Sequence, residues 1–485
     1  MSHDLRRSVV RGVFWSGVQQ ASDRGLRMLV FVILAALVEP AVIGVVALAM
    51  VFVDGLGLLL NQGLTAALVQ RENLTQSHKS SAFVANLCMA FVLMAALYLA
   101  AGPISAWFGN PDLQGLLRWL SLGLMFTALA AVQEASLRRE LRFRVLAVRT
   151  LASRCVGAAV GVVLALRGHG AWSLVFMYLV NQGVGVAVLW LASSWRPSLR
   201  FSWTSYKDLL DFGLRILGGE TMAVVRNRGG DLLVGSILGE TALGFFSLAK
   251  TLVGGVFSLI DGAIAPVAWA MMSRLQHSPQ KFAQAIEESA QLTATIVLPA
   301  GAGLLVTASP LIELLYRDRW LPTLPVIYSL VVCRTLSTFM GHNRTALTAV
   351  GEINTSLLLS GVATILTVAG IAAGSLWGLI GVAVGLVIAT GVQTPIDLFW
   401  SFKLLPVMAS SFLFRLVPPT LLTLAMFLSL LVLRPLLGDG WLGLTLLVLS
   451  GVLIYSLGSL VAAPKLVERI HVNLLAGMRG NRRGI

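Results

Sequence analysis

The chain has 485 residues, of which 57% are hydrophobic and only 12% charged, and its mean hydropathy is +0.84. Soluble domains carry roughly 25% charged residues, so water is excluded as the main solvent. The formal charge of +14 is spread through short loops between apolar runs, a distribution that belongs to membrane topology and anionic lipid rather than nucleic acid.

Apolar stretches of about 20 residues, each able to cross a hydrocarbon core of roughly 30 Å as a helix, recur along nearly the whole chain. Spans are expected near 10–38, 41–66, 80–102, 113–135, 146–166 and 171–194. After a polar linker holding Trp195, Arg196, Pro197, Arg200 and Lys207, they resume near 209–238, 241–270, 284–308, 322–347, 354–375 and 377–402. Two more, near 411–436 and 440–463, complete a set of about fourteen. The first span, preceded by Arg6, Arg7 and Arg11 and interrupted by Asp23, Arg24 and Arg27, lacks the features of a cleaved signal peptide and is expected to stay in the protein. Cys88, Cys155 and Cys333 are scattered singly, a pattern of small packing residues and not of a metal site or disulfide framework.

With a cytoplasmic N-terminus, one set of loops holds Arg71, Lys79, Arg138, Arg139, Arg142, Arg144, Arg149, Arg196, Arg200, Lys207, Arg274, Lys281, Arg344, Lys403 and Arg415, followed by the basic tail. The opposite loops hold Arg167, Arg317, Arg319 and Arg434. The positive-inside rule then places both termini in the cytoplasm.

Internal repetition is visible. Leu37, Val38, Gly44, Leu48 and Ala49 match Ile237, Leu238, Gly244, Leu248 and Ala249 at a constant shift of 200 residues. Pro103 and Ile104 match Pro310 and Leu311, and Trp172, Leu174 and Val175 match Trp377, Leu379 and Ile380. Landmarks in the same order imply two six-helix halves that enter the membrane from the same side, a parallel repeat of the kind transporters use. The expected organisation is an N-terminal lobe (1–195), an inter-lobe linker (196–208), a C-terminal lobe (209–404), two accessory transmembrane helices (405–463) and a basic cytoplasmic tail (464–485).

Charge inside these spans is the functional signal, because each charged residue at a helix centre costs about 2.5–3.5 kcal/mol on insertion scales. Asp23 and Arg27 are spaced to pair on one helix face, which leaves Arg24 in excess. The repeat counterpart carries Glu220, Arg226, Arg228 and Asp231; Arg228 and Asp231 are spaced to pair, with Arg226 in excess and Arg215 earlier in the span. Lys250 and Arg334 fall near the middle of their spans, and Asp54 and Asp261 supply acids. Arg24, Arg27, Arg226, Arg228, Arg215, Lys250 and Arg334 are therefore the candidate substrate-binding cations of a water-filled cavity, where guanidinium forks bind diphosphate or acidic sugars. Asp23, Asp54, Asp231 and Asp261 are the candidate pairing or coupling acids. Structural ion pairs and snorkelling side chains are the alternative for these residues; Arg154 is expected to snorkel. Gln19, Gln20, Asn181 and Gln182 could meet sugar hydroxyls. Gly157 with Gly161, and Gly381 with Gly385, have the spacing that lets helices approach closely. No phosphate-cradling loop, metal-ligand cluster or catalytic constellation is present in the sequence, so neither a cofactor nor enzymatic activity is expected.

Five segments carry a family resemblance: Gly63 to Arg71, Leu137 to Arg144, Trp195 to Phe201, Met272 to Gln276, and Trp320-Leu321-Pro322. As an ordered series they resemble the polysaccharide transporters of the Wzx and colanic-acid exporter type, within the multidrug, oligosaccharidyl-lipid and polysaccharide exporter superfamily. The resemblance implies an all-α membrane protein with two six-helix lobes forming a V-shaped cavity that opens alternately to either side. It further implies a flippase that moves undecaprenyl-pyrophosphate-linked repeat units of exopolysaccharide, capsule or O-antigen across the inner membrane, with a polymerase and glycosyltransferases as partners. It supplies no fixed catalytic positions. A cation-coupled drug or metabolite exporter, with Asp54 or Asp261 as the coupling acid, is the first rival reading. A membrane glycosyltransferase or polymerase is the second, disfavoured by the short periplasmic loops.

Overall fold

The computed structural model describes residues 3–462 other than Gln62, Glu72, Leu199, Gln276 and Asp439, without the side chains of 3–14, 18, 21, 61, 212, 214–220, 223, 263, 265–267, 269–270, 339, 342 and 461–462. The basic tail and Arg215 lie outside the described residues and side chains. Helices follow one another as α1 (His3–Leu37), α2 (Pro40–Asn61), the short α3 (Leu64–Gln70), α4 (Gln76–Phe108), α5 (Asp112–Leu120), α6 (Leu122–Arg139), α7 (Phe143–Leu166) and α8 (Ala171–Ala192). Then come α9 (Trp203–Leu275), α10 (Pro279–Tyr316), a 3-10 turn (Arg317–Thr323), α11 (Leu324–Ala349), α12 (Ile353–Ser375), α13 (Gly378–Leu404), α14 (Ala409–Leu437) and α15 (Trp441–Ala462). No strand occurs among the described residues, as hydrocarbon demands of a chain that must satisfy its backbone hydrogen bonds within each span.

Eleven stretches of the described residues are long and apolar enough to cross a membrane, fewer than the expected fourteen. Three places account for the difference. Asp23, Arg24 and Arg27 make the middle of α1 too polar. Pro279–Ala349 is one stretch of 71 residues that runs through α10, the 3-10 turn and α11. Val224–Gly262 is another single stretch, although α9 breaks inside it at Gly239, whose φ of 84° suits a residue without a Cβ. Large apolar side chains such as Leu99, Leu166, Leu191, Ile365 and Phe414 are exposed along the helices, which identifies the surface as lipid-facing. Trp107, Trp203, Trp377 and Trp441 are exposed near helix ends, where indoles favour the headgroup region. The chain is a multi-pass membrane protein.

The contacts divide the chain into two compact units, one of residues 1–255 and 364–385, the other of residues 256–363 and 386–485. In the first, α7 packs on α8 and α1, and α4 on α6. Small residues permit these approaches: a Cβ on Gly157 would lie 2.9 Å from the Met177 carbonyl oxygen, and one on Gly161 2.9 Å from the Met177 Cβ. Gly381 and Gly385 of α13 likewise sit against the Gly374 and Gly370 carbonyls of α12. In the second unit, α14 and α15 pack against each other and against α10, around Val306, Met426, Leu430 and Leu447. Asp397, whose side chain is 1% exposed, is held there by Arg344 at 2.7 Å and by the Gln393 amide at 2.9 Å.

The repeat surfaces as a physical contact inside the first unit. A Cβ on Gly44 would strike the Glu240 carbonyl and lie 2.9 Å from the Gly244 nitrogen, while one on Gly244 would strike the Pro40 carbonyl. Pro40 and Glu240, like Gly44 and Gly244, stand 200 residues apart, so the two copies of one segment meet reciprocally, backbone on backbone. Leu48, Ala49, Leu248 and Ala249 are buried one turn further on.

The polar segment expected as a linker is tied to the start of α4, whose N-terminus is closed by a Thr75–His78 capping box. Trp195 Nε1 donates to Gln76 Oε1 at 2.7 Å, and the Gln76 amide donates to the Arg196 carbonyl at 2.9 Å. The Ser198 and Ser202 amides donate to the Ser80 and Ser81 hydroxyls at 3.2 and 2.9 Å. Asp208 closes the series by pairing with Arg71 and with His78. Its hydrogen bond from Arg71 holds the Asp208 carboxyl below the usual aspartate range.

Two predictions follow from these contacts. Gly44→Ala and Gly244→Ala each destabilise the detergent-solubilised protein by about 1–3 kcal/mol through overpacking, and the double variant loses less than the sum because the contact is shared; thermal unfolding of the four proteins measures this. Because the folded-state pKa of Asp208 is depressed, its contribution is present above the unfolded aspartate pKa and disappears as pH falls through the folded value. Wild type should therefore unfold at a higher temperature than Asp208→Asn at neutral pH, and the gap should close in acid.

Candidate functional site

Two ion-pair networks lie within the first unit. In the first, Asp23 of α1 accepts from Arg27 one turn along the same helix and from Arg154 of α7 at 2.8 Å. Gln19 of α1 donates to Thr150 of α7 at 3.4 Å, so the same two helices are also stitched one turn away. Arg24 donates to Gln20 at 3.3 Å. With its amide turned to suit its neighbours, Asn181 accepts from Arg154 at 3.1 Å and donates to Ser153. Arg154 is thus drawn inward by a carboxylate, which corrects the expectation that it snorkels.

In the second network Arg228 bridges Asp54 of α2 and Asp231, the latter at 3.2 Å. Lys250 donates to the other oxygen of Asp231 at 2.6 Å and to the Asn227 carbonyl at 2.7 Å, while its ammonium lies 5.4 Å from the Phe246 ring centroid. The Asp231 side chain is 3% exposed, and a carboxylate so buried requires partners of this kind. The pairings anticipated by helical spacing, Asp23 with Arg27 and Arg228 with Asp231, are both present.

The remaining candidates are placed as follows. Arg226 is exposed and leaves its helix about 200° around from Arg228, two residues on. Asp261 is partly buried and Arg334 exposed; both belong to the second unit. Arg215 is outside the described side chains.

The first network sets Arg27 and Arg154 against the one Asp23 carboxylate, with Arg24 on Gln20, and the second sets Arg228 and Lys250 against Asp54 and Asp231. Cations outnumber acids in the first network and equal them in the second. The Arg27 side chain is 59% exposed and that of Arg228 is 32% exposed. A guanidinium has five N–H donors, more than one carboxylate consumes. Among the described residues no three His, Cys, Asp or Glu side chains are grouped to hold a metal.

Sequence reading passed over three acids that the structure makes structural centres: Glu134 between Arg138 and Arg149, Glu287 with Arg415, and Asp397 with Arg344. Asp397 was readable, being an acid inside an expected span, five residues before its end. Glu134 was hidden by its place beside a loop rich in arginine.

Known proteins resemble this one in sequence and in fold. The chain is 28% identical over 332 residues to the succinoglycan biosynthesis transport protein ExoT of Rhizobium meliloti (strain 1021), a match covering 68% of this chain and 67% of that one. It is 23% identical over 411 residues to the lipopolysaccharide biosynthesis protein WzxC of Escherichia coli (strain K12), covering 84% and 83%. Its fold is that of the lipid II flippase MurJ in an inward closed conformation, with a TM-score of 0.74 at 15% identity over 94% of this chain and 100% of that one. An inward-facing multidrug resistance transporter of the MATE family superposes with a TM-score of 0.58 at 17% identity, over 81% and 94%. Residues 33–325, which hold the second ion-pair network and Arg154 of the first but not Asp23, Arg24 or Arg27, match the sequence profile of the family described as polysaccharide biosynthesis protein, and the chain belongs to that family.

Proposed function

We propose that the protein is a flippase that moves undecaprenyl-pyrophosphate-linked oligosaccharide repeat units from the cytoplasmic to the periplasmic leaflet of the inner membrane. The observation that carries this reading is the pair of guanidiniums, Arg27 and Arg154, set against the single Asp23 carboxylate in the first unit. A diphosphate needs that surplus and a cationic drug is repelled by it. Membership of a polysaccharide biosynthesis family and the transport relatives named above support the same substrate class.

In this reading Arg24, Arg27, Arg226 and Arg228 grip the diphosphate, with Arg215, Lys250 and Arg334 adding to the field, while the polyprenyl tail stays in lipid. The two six-helix lobes, 1–195 and 209–404, joined by the linker 196–208, rock about the substrate; the helices of 405–463 are accessory. Both termini face the cytoplasm. A polymerase in the periplasm consumes the product, and glycosyltransferases on the cytoplasmic face supply the substrate. With a negative interior, outward movement of negative charge gains about 2.3 kcal/mol per charge per 100 mV, so the membrane potential can drive the step. The rival cation-coupled exporter, with Asp54 or Asp261 as its coupling acid, has less support at Asp54, which already pairs with Arg228.

Deletion of the gene should abolish the surface polysaccharide and leave lipid-linked repeat units in the cytoplasmic leaflet, as measured by accessibility to a membrane-impermeant probe. Normal polysaccharide with altered drug sensitivity would sink the proposal. Arg27→Ala and Arg228→Ala should each reduce export at least about tenfold with the protein still in the membrane, and the lysine variants should rescue only in part because a point charge replaces a bidentate fork. In proteoliposomes, an inside-negative potassium diffusion potential should accelerate outward flipping without any sodium or proton gradient. Strict dependence on either ion would remove the potential-driven mechanism.

A further inference from the structure

The first unit contains a cavity of about 640 Å³ that shares no residue with the two ion-pair networks. It lies where α3, α6, α7 and α8 meet, and its polar lining includes Thr65, Gln70, Thr127, Glu134, Arg149 and Gln182, with Phe126 as an aromatic wall. Its volume falls in the range of small-molecule pockets, about 300–1,000 Å³.

The walls are fixed in place. Gly63, at φ 65°, turns the chain from α2 into α3 and sits directly against the Gly213 backbone. Arg139 caps the far end of α3 by donating to the Leu68 carbonyl at 3.4 Å and to the Arg71 carbonyl. On the opposite wall, Glu134 accepts from Arg138 at 2.7 and 3.1 Å and from Arg149 at 3.0 Å. Gln182 Nε2 donates to Thr127 Oγ1 at 3.4 Å.

This lining discriminates between ligands. An acyl chain would offer no hydrogen bond to the further donor and acceptor capacity of Gln70, Gln182 and Glu134. A bare phosphate would meet the Glu134 carboxylate, which stands between Arg138 and Arg149 and already accepts from both. A hydroxyl group can do what neither of those can, donating to Glu134 while accepting from Arg138, Arg149 or an amide. Several such hydroxyls on a ring with an apolar face toward Phe126 satisfy the whole lining.

We propose that this cavity is a saccharide subsite that takes a hydroxyl-bearing sugar ring of the lipid-linked oligosaccharide. It lies beside the arginine-rich segment 138–149, on the side that the charge asymmetry assigns to the cytoplasm, where the substrate enters. The proposal rests on the flippase reading and extends it by separating recognition of the sugar from recognition of the diphosphate.

The test uses the full-length protein in phospholipid nanodiscs with two probes, undecaprenyl pyrophosphate and the undecaprenyl-pyrophosphate-linked oligosaccharide extracted from cells lacking the gene. Wild type should bind the glycosylated lipid more tightly. Gln182→Leu, Thr127→Val and the cavity-filling Ala131→Phe should each weaken binding of the glycosylated lipid about tenfold, the loss of one hydrogen bond to a buried partner, while leaving undecaprenyl pyrophosphate within twofold of wild type. Equal loss for both probes would overturn the subsite in favour of phosphate recognition, and unchanged binding of both would show that no sugar enters. Should a variant fail to fold, the wild-type comparison still decides, because equal affinity for the two probes overturns the proposal. Failure of wild type to bind either lipid would instead sink the flippase reading itself.

Discussion

A charge carried into hydrocarbon has to bring its counter-charge with it, and this constraint organises the first unit. Asp23 binds α1 to α7 through Arg154, and Arg228 binds α9 to α2 through Asp54. All four side chains are partly exposed, so solvent screens the pairs and each adds a modest tie between its two helices beside the apolar packing. In the proposed reading the same residues serve both stability and substrate. A flippase site built this way cannot be stripped of charge without loosening the helices that form it.

What could be read in advance depended on distance along the chain. Pairings within one helix were legible because three- and four-residue spacings place side chains on one face. The Arg154 to Asp23 bond spans 131 positions and the Arg228 to Asp54 bond 174, and no periodicity encodes which helices become neighbours. Lys250 was recognised as an intramembrane cation, but its attachment to Asp231 depends on the turn at Gly239 that folds α9 back on itself. The shift of 200 residues located the segments that touch at Gly44 and Gly244 without revealing that they touch. Charge count alone could not mark the cavity around Glu134, since its arginines were indistinguishable from topology signals.

The tie between α4 and the segment that follows α8 changes how the chain's midpoint works. A polar stretch of this length would be expected to move freely as a linker. Here serine hydroxyls, Gln76, Trp195 and the Arg71–Asp208 pair hold it along the first helices. Movement transmitted through the start of α9 therefore reaches α3 and α4 directly. Arg71 follows α3, which forms a wall of the polar cavity, so sugar occupancy and linker position share a mechanical element.

The reciprocal contact of Gly44 and Gly244 has the geometry of an isologous interface, in which one surface meets its own copy about a two-fold axis. In a homodimer such a surface is specified once, and any change appears on both sides together. Written twice within a single polypeptide, it can change on one side only. A side chain gained in either copy meets an unaltered carbonyl in the other, so relief has to arise two hundred positions away. Two duplicated halves can diverge over most of their length, yet at this seam each remains bound to the shape of its twin.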